Sequence, residues 1–386
     1  MRPEISDAVV YVGVDDLDLD LFESQYPVPN GVSYNAYVIL DEKIAVMDTV
    51  DRRATDAWLE NVEHALAGRT PDYLVVSHLE PDHSYNIGLL CDRYPQMKLV
   101  GNAKTFAMLP RFFDLPDLAS RSVTVAEGDQ LCLGKHTLTF YMAPMVHWPE
   151  VMVSYESAEK LLFSADGFGK FGALDADEPW TDEARRYYLN IVGKYGAPVQ
   201  ALLKKAAGLD IAKILPLHGP ILAGDLSPYL EKYQLWSTYA PEEQGVAICF
   251  CTIHGNTGQA AQMLREFLEA AGVKTAFFDL ARCDMSAAVA AAFQYDKLVL
   301  AAPTYDGGLF PPMEDFLAHL KSKNFQKRTV GLIENGSWAP MAGKLMAGLL
   351  SQMKDVTVLE PTVSVASTVT AQTQPQLQAL AQQLSK

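Results

Sequence analysis

Seven residues, Ser77-His78-Leu79-Glu80-Pro81-Asp82-His83, constrain this chain more than any other stretch. Four of them can ligate a metal. They follow an apolar run, Tyr73-Leu74-Val75-Val76, that reads as a buried strand. Strand ends opening into loops are where folds place chemistry. His78 and Glu80 stand at i and i+2, and Asp82 and His83 are adjacent. In a tight loop that spacing can aim two pairs of ligands at two neighbouring metal positions. A surface loop can also collect two histidines and two acids by accident, and each residue alone is more often solvated or structural. The partners downstream weigh against accident. His147 lies in Pro144-Met145-Val146-His147-Trp148-Pro149, Asp166 in Leu162-Phe163-Ser164-Ala165-Asp166-Gly167, and His218 in Leu215-Pro216-Leu217-His218-Gly219-Pro220. Each follows or ends an apolar run and so reads as another strand end.

The pattern is similar to that of the metallo-β-lactamase superfamily, whose hydrolases usually show H-x-H-x-D-H. Here Glu80 replaces the second histidine while the other six candidates are kept, and that resembles the flavodiiron proteins (A-type flavoproteins). The donor set agrees with this resemblance. Zinc is at home with imidazole and thiolate, whereas four histidines and three carboxylates suit a pair of redox-active irons. Three carboxylates offset three of the four positive charges on two ferrous ions. Asp166 is the natural bridge, because a carboxylate has two oxygens to share. The resemblance implies one iron on His78, Glu80 and His147, and the other on Asp82, His83 and His218, with Asp166 between them. The expected fold of this part is an αββα sandwich with ligands at strand ends.

Residues 1–50 read as strands, with a hairpin around Asp41-Glu42-Lys43. Residues 53–67 have helical spacing, with Trp58, Leu59, Val62 and Leu66 on one face. Ser84–Tyr94 reads as a helix, and further β segments lie near 98–101, 121–125, 137–142 and 160–165. Residues 182–207 read as helix interrupted at Pro198. The aromatic, acidic stretch Leu226–Gln244 reads as a linker. The expected domains are therefore 1–240 and 245–386. No run of about 18 apolar residues predicts a spanning helix, and the start, Met1-Arg2-Pro3-Glu4-Ile5-Ser6-Asp7, lacks a signal-peptide pattern. A formal charge of −16 over 386 residues argues against nucleic acid and anionic membrane as partners. The acidic run Asp15–Asp20 reads as a solvated edge sooner than a docking patch. Five cysteines, Cys91, Cys132, Cys249, Cys251 and Cys283, form no C-x-x-C pair and read as reduced thiols of a cytoplasmic protein. His64, His136 and His319 carry no motif and read as surface or helix-end residues.

A second pattern begins at Gly245. Val246-Ala247-Ile248-Cys249-Phe250-Cys251 is a near-continuous apolar run, as buried parallel strands require. Strands recur at 274–279, 297–302, 329–334 and 355–359, alternating with helical stretches. This predicts a doubly wound, five-stranded parallel sheet of flavodoxin type. The Gln-rich stretch Thr373–Leu384 keeps Leu377, Leu380 and Leu384 at helical spacing and reads as a packed helix. Between the first strand and its helix, Thr252, His254, Gly255, Asn256 and Thr257 offer hydroxyls, an amide and backbone N–H groups, a phosphate cradle. It is similar to the flavodoxin phosphate loop, with His254 where a small polar residue is common. Two later loops support a flavin. Pro303, Thr304, Tyr305, Asp306 and Gly307 resemble the flavodiiron segment around the isoalloxazine ring. Gly336, Ser337 and Trp338 supply close backbone approach and an aromatic for stacking. Together they predict FMN. Asp306 departs from the Asn common in the family, and a carboxylate beside a flavin disfavours its anionic reduced form.

The resemblance spans essentially the whole chain and implies an oxidoreductase that reduces O2 to water, NO to N2O, or both. Two ferrous ions and a reduced flavin together hold four electrons, the number O2 to two waters needs. A zinc hydrolase with a flavodoxin-like sensor is the rival enzyme, against which Glu80 counts. An electron-transfer module with a merely structural first domain is the non-enzyme rival, and it has no need of seven ligands. Without a C-x-x-C pair the chain has no rubredoxin-like iron site of its own. The expected electron donor is therefore a separate protein such as a rubredoxin or a flavin reductase. The resemblance also implies a head-to-tail homodimer, alone or paired into a dimer of dimers, in which the FMN of one chain faces the metal site of the other.

Overall fold

The computed structural model describes residues 3–386; Met1 and Arg2 of the start read above lie outside them. The chain forms two compact units. One contains the chain up to Tyr188 together with Ala197–Gln234, and the other contains Leu189–Gly196 and Leu235–Lys386.

The first unit is built on two six-stranded sheets. In the first, the order is Val9–Tyr11, Tyr37–Ile39, Ala45–Met47, Tyr73–Val75, Lys98–Asn102 and Ser122–Val125. Its pairing is antiparallel up to Ala45–Met47 and parallel beyond. The second runs Gln130–Cys132, Thr137–Met142, Met152–Glu156, Leu161–Phe163, Lys213–Leu215 and Leu222–Ala223. Alternate residues of the two sheets share one core: Tyr37, Met47, Val75 and Val100 from the first meet Leu138, Phe140, Met152 and Phe163 from the second. Helix Thr55–Leu66 buries Trp58, Val62 and Leu66, a stripe set by their helical spacing. This is the αββα sandwich that the alternating pattern predicts.

The second unit carries a parallel sheet in the order Thr275–Asp279, Glu243–Phe250, Tyr295–Tyr305, Arg328–Asn335. Two short strands, Val356–Val358 and Val363–Val365, both pair in parallel with Arg328–Asn335 and share the fifth position. The sequence pattern predicts one strand there, at 355–359. Pro361 lies between the two pieces and has no N–H for a ladder, which is why the edge position is split. Helix Gln374–Leu384 packs Leu377, Leu380 and Leu384 into the core under Val246, Ile248 and Val299.

Three other expectations need correction. The stretch read as a linker is largely the helix Ser227–Ser237, and it buries Tyr233 and Trp236. The contact units divide the chain after Tyr188, Gly196 and Gln234. Leu189–Gly196 also joins the second unit, where the Asn190 side chain donates to Ser286 O at 3.1 Å. Within 182–207 the regular helix Trp180–Tyr187 breaks at Tyr188–Tyr195, ahead of Pro198, which sits in the first turn of helix Gly196–Ala206. A proline is tolerated there because first-turn N–H groups have no intrahelical partner anyway. Finally, His136 is buried, with Nδ1 3.2 Å from Glu156 Oε1, and is no surface residue. Among the described residues no helix is long and apolar enough to cross a membrane.

Candidate metal centre and cofactor cleft

The metal-ligand candidates stand on loops that leave strands of both sheets of the first unit. Strand Tyr73–Val75 runs into the 77–83 loop, and Ser77 N is fixed by Asp48 Oδ1 at 2.7 Å. His147 sits between strands Thr137–Met142 and Met152–Glu156, Asp166 follows Leu161–Phe163, and His218 follows Lys213–Leu215. The His218 loop is tied down by Asn35, whose Nδ2 donates to Pro216 O and Gly219 O, each at 2.8 Å.

These loops bring all seven candidates together in two groups. His78, Glu80, His147 and Asp166 form one, and Asp82, His83 and His218 the other, with the ligand atoms of each within 4.8 Å of one another. Asp166 faces both. Its Oδ2 is 3.4 Å from His78 Nε2 and 3.2 Å from His147 Nε2. Its Oδ1 is 3.2 Å from His83 Nε2 and 3.9 Å from His218 Nε2. Glu80 Oε2 lies 3.2 and 3.0 Å from the Nε2 atoms of His78 and His147. Asp82 Oδ2 lies 3.3 and 3.2 Å from those of His83 and His218.

Several of these buried atoms find no hydrogen-bond partner: both oxygens of Asp82, both of Asp166, and His147 Nε2. Orphaned buried polar atoms are costly. Lone pairs converging from two sides without donors between them are what a pair of cations would satisfy. His83 Nε2 and His218 Nε2 stand 3.0 Å apart, an approach that two imidazoles tolerate when a shared cation or proton lies near both.

The electrostatics agree. Burial alone would push the Asp166 carboxyl up, but the surrounding histidines, His83 first, hold it well below the usual carboxylate range. Burial would lower His147, yet Asp166 and Glu80 raise it to about 9. His78 is raised well above its ordinary value, since its bonds to Glu150 and Glu80 outweigh burial. A field that holds protons on buried imidazoles holds metal cations in their place, with release of those protons.

The sequence reading missed the supporting residues. Glu150 is buried and its Oε1 stands 2.8 Å from His78 Nδ1, while also accepting from Leu79 N at 2.9 Å. Ser33 O lies 2.7 Å from His218 Nδ1. Such partners leave Nε2 of each ring for the metal. Only position marked Glu150, three residues after His147; Ser33 acts through its backbone and leaves no side-chain signature.

In the second unit, a cleft of about 710 Å³ opens at the C-terminal ends of three adjacent strands. Thr252, His254, Asn256, Thr257, Pro303, Thr304, Tyr305, Asp306, Gly307, Gly336, Ser337 and Trp338 all line it. Of the predicted flavin residues only Gly255 does not. It caps the following helix at φ 91°, a conformation that glycine adopts without strain. Ile253, Asn335, Ala339 and Ser367 also line the cleft and were not predicted. Asn335 joins the loops: Nδ2 donates to Thr257 Oγ1 at 3.3 Å and Ser367 O at 3.0 Å, and Oδ1 accepts from Ser367 N at 3.1 Å. Ser367 escaped notice because the strand that delivers it, Val363–Val365, did. Thr304 Oγ1 accepts from Met341 N and Ala342 N at 2.9 and 3.1 Å, fixing the Trp338 loop. Trp338 is 82% exposed and Tyr305 45%, leaving flat aromatic faces free for a planar ring.

Residues 32–219 match the model of the ODP family beta lactamases, and residues 247–373 match a flavodoxin domain. The chain is similar over its whole length to the solved structure of rubredoxin oxygen:oxidoreductase from Desulfovibrio gigas. That match has a TM-score of 0.91 at 27% identity and covers 100% of this chain and 98% of that one. This chain belongs to the flavodiiron proteins. It is also 29% identical to the nitric oxide reductase of Moorella thermoacetica, across 92% of this chain and 91% of that protein. With the rubredoxin-oxygen oxidoreductase of Megalodesulfovibrio gigas the identity is 28%, across 91% and 89%. The chain spans 58% of the length of a putative diflavin flavoprotein of Nostoc, with which it shares 30% identity. In a flavodiiron protein the two ligand groups fit a non-haem diiron centre and the cleft fits FMN.

Proposed function

We propose that this flavodiiron protein reduces O2 to water, NO to N2O, or both, at two irons held by His78, Glu80, Asp82, His83, His147, Asp166 and His218. The observation that carries the reading is Asp166, buried, with one oxygen toward each ligand group. The relatives named a nitric oxide reductase and a rubredoxin-oxygen oxidoreductase support the choice of substrates. When bound, the irons and reduced FMN supply binding positions for a diatomic and up to four electrons. The residues of this chain do the rest. Glu80, Asp82 and Asp166 balance cationic charge in a place where water cannot. Glu150 and the Ser33 carbonyl hold the His78 and His218 rings with Nε2 inward. Thr304 and Asn335 hold the three cleft loops in register for FMN.

Electrons come, in this reading, from a separate donor such as a rubredoxin or a flavin reductase, which the relative named a rubredoxin-oxygen oxidoreductase supports. The working form is a head-to-tail homodimer in which the FMN of one chain serves the irons of the other. It lies in the cytoplasm, where five unpaired thiols stay reduced. The test is metal content with activity. Iron-replete expression gives close to two irons and one FMN per chain, and the reduced protein consumes O2 or NO. Stoichiometric zinc with hydrolase activity and no gas consumption would overturn the proposal.

A further inference from the structure

We propose that His254 makes the cleft of the second unit select the phosphorylated flavin, FMN, over uncharged riboflavin. The inference rests on the FMN reading above and assigns one residue of this chain to one group of the ligand.

A phosphate monoester carries a charge of about −1.5 to −2 near pH 7. The cleft meets it with little to offset that charge. Four segments line it: the loop from Thr252 to Thr257, Pro303 to Gly307, Asn335 to Ala339, and Ser367. No lysine or arginine is among their lining residues. The third and fourth segments contribute no ionisable side chain. The second contributes Tyr305 and the carboxylate of Asp306, which repels an anion. The first contributes His254. The chain as a whole carries −16, which opposes a dianion further.

The same loop has the neutral half of an anion site. It leads into helix Asn256–Ala270, fifteen residues long, whose cap Gly255 supplies no side-chain acceptor. The first-turn N–H groups and the positive end of the helix dipole are thus left for a ligand. Thr252 Oγ1 is engaged by Gly255 N at 3.0 Å, which folds the loop back over the helix start. His254 is exposed at the cleft wall, two residues before the first helical residue. Its imidazole is the one lining side chain of a type that can carry positive charge beside the helix start.

The experiment uses the full chain stripped of flavin, titrated with FMN and with riboflavin at pH 6.5, following quenching of flavin fluorescence. His254→Gln is expected to cut the preference for FMN over riboflavin about tenfold at pH 6.5, the worth of one charge-assisted hydrogen bond. Riboflavin affinity stays as it is. In His254→Lys the preference is kept or rises, because a cation stands in the same place. The inference is overturned if His254→Gln keeps the wild-type preference, or if it weakens both flavins equally, as a merely structural role would. A wild-type chain that binds neither flavin would overturn the FMN reading itself, and this inference with it.

Discussion

Replacing Glu150 should weaken one of the two metals and spare the other. Glu150 is buried beneath the first ligand group, with Oε1 at 2.8 Å from His78 Nδ1 and 2.9 Å from Leu79 N. Its side-chain bonds go to His78 and Leu79, on the side of the first ligand group. Glu150→Gln keeps an oxygen for both contacts but removes the charge, and a charge-assisted hydrogen bond is roughly twice as strong as a neutral one. Partners of metal-bound histidines are worth about 10–100-fold in metal affinity. The Gln variant belongs at the lower end, about tenfold or ~1.4 kcal/mol. Glu150→Ala also strands the buried Leu79 N–H, which adds about 1–3 kcal/mol of lost stability. The assay is anaerobic titration of apo-protein with Fe(II) or Co(II) against a competing chelator, resolved into two steps. Burial would raise the Glu150 carboxyl, but His78 holds it low. Its contribution to apo-protein stability is therefore present above the ordinary carboxylate range, about pH 4.3. It is lost as the pH falls through the lowered value. Two unchanged binding steps in Glu150→Gln, or two steps weakened alike, would refute the assignment of His78 to one group with Glu150 as its support.

Asp166→Ala should cost both irons, measured as metal per chain; full iron with full activity would rule out the bridge. Asp48 is fully buried and its carboxyl is raised to about 6, by burial first. The folded state thus holds its proton more tightly than the unfolded chain does. Its contribution makes apo-protein stability fall as the pH rises from about 4 to about 6. Asp48→Asn should remove that slope, at most about 3 kcal/mol, in denaturant melts of both proteins across the window; parallel profiles would contradict this. Arg328 is buried and donates to Tyr239 O at 2.8 Å, Gln326 O at 3.2 Å and Phe293 O. Arg328→Met should destabilise the second unit by about 2–4 kcal/mol through stranded carbonyls while leaving iron content intact; an unchanged FMN-unit melt would show the bonds to be worth nothing. Chains with His78→Ala and His147→Ala should be inactive alone, as should chains with Thr252→Ala and Asn256→Ala. Mixed dimers should regain part of the activity, and no recovery after proven exchange would exclude the head-to-tail arrangement.

What could be read in the sequence was chemistry tied to a pattern. Apolar runs ending in His78, His147, Asp166 and His218 marked strand ends, and all seven candidates converge. The apolar stretch from Val246 marked a buried parallel strand, and the polar loops after three such strands form one cleft. What escaped acts at long range or through the backbone. The Ser33 carbonyl reaches His218 across 185 positions, and nothing in the side chain announces it. Ser367 depended on a strand of three residues, too short for an alternation pattern. His136 looked solitary because Glu156, its buried partner, comes from a neighbouring strand and not from a motif. The segment 226–244 was aromatic because helix Ser227–Ser237 buries Tyr233 and Trp236, and composition alone does not separate that from a linker.

The central claim is that the seven-residue centre, loaded with iron and supplied through FMN, reduces a diatomic gas. The most direct test is to reduce the purified protein fully and to record the consumption of O2 and of NO side by side, for the wild type and for Asp166→Ala. The account predicts rapid consumption of at least one gas by the wild type and none above background by the variant. A wild-type protein carrying two irons and FMN that consumes neither gas would contradict it.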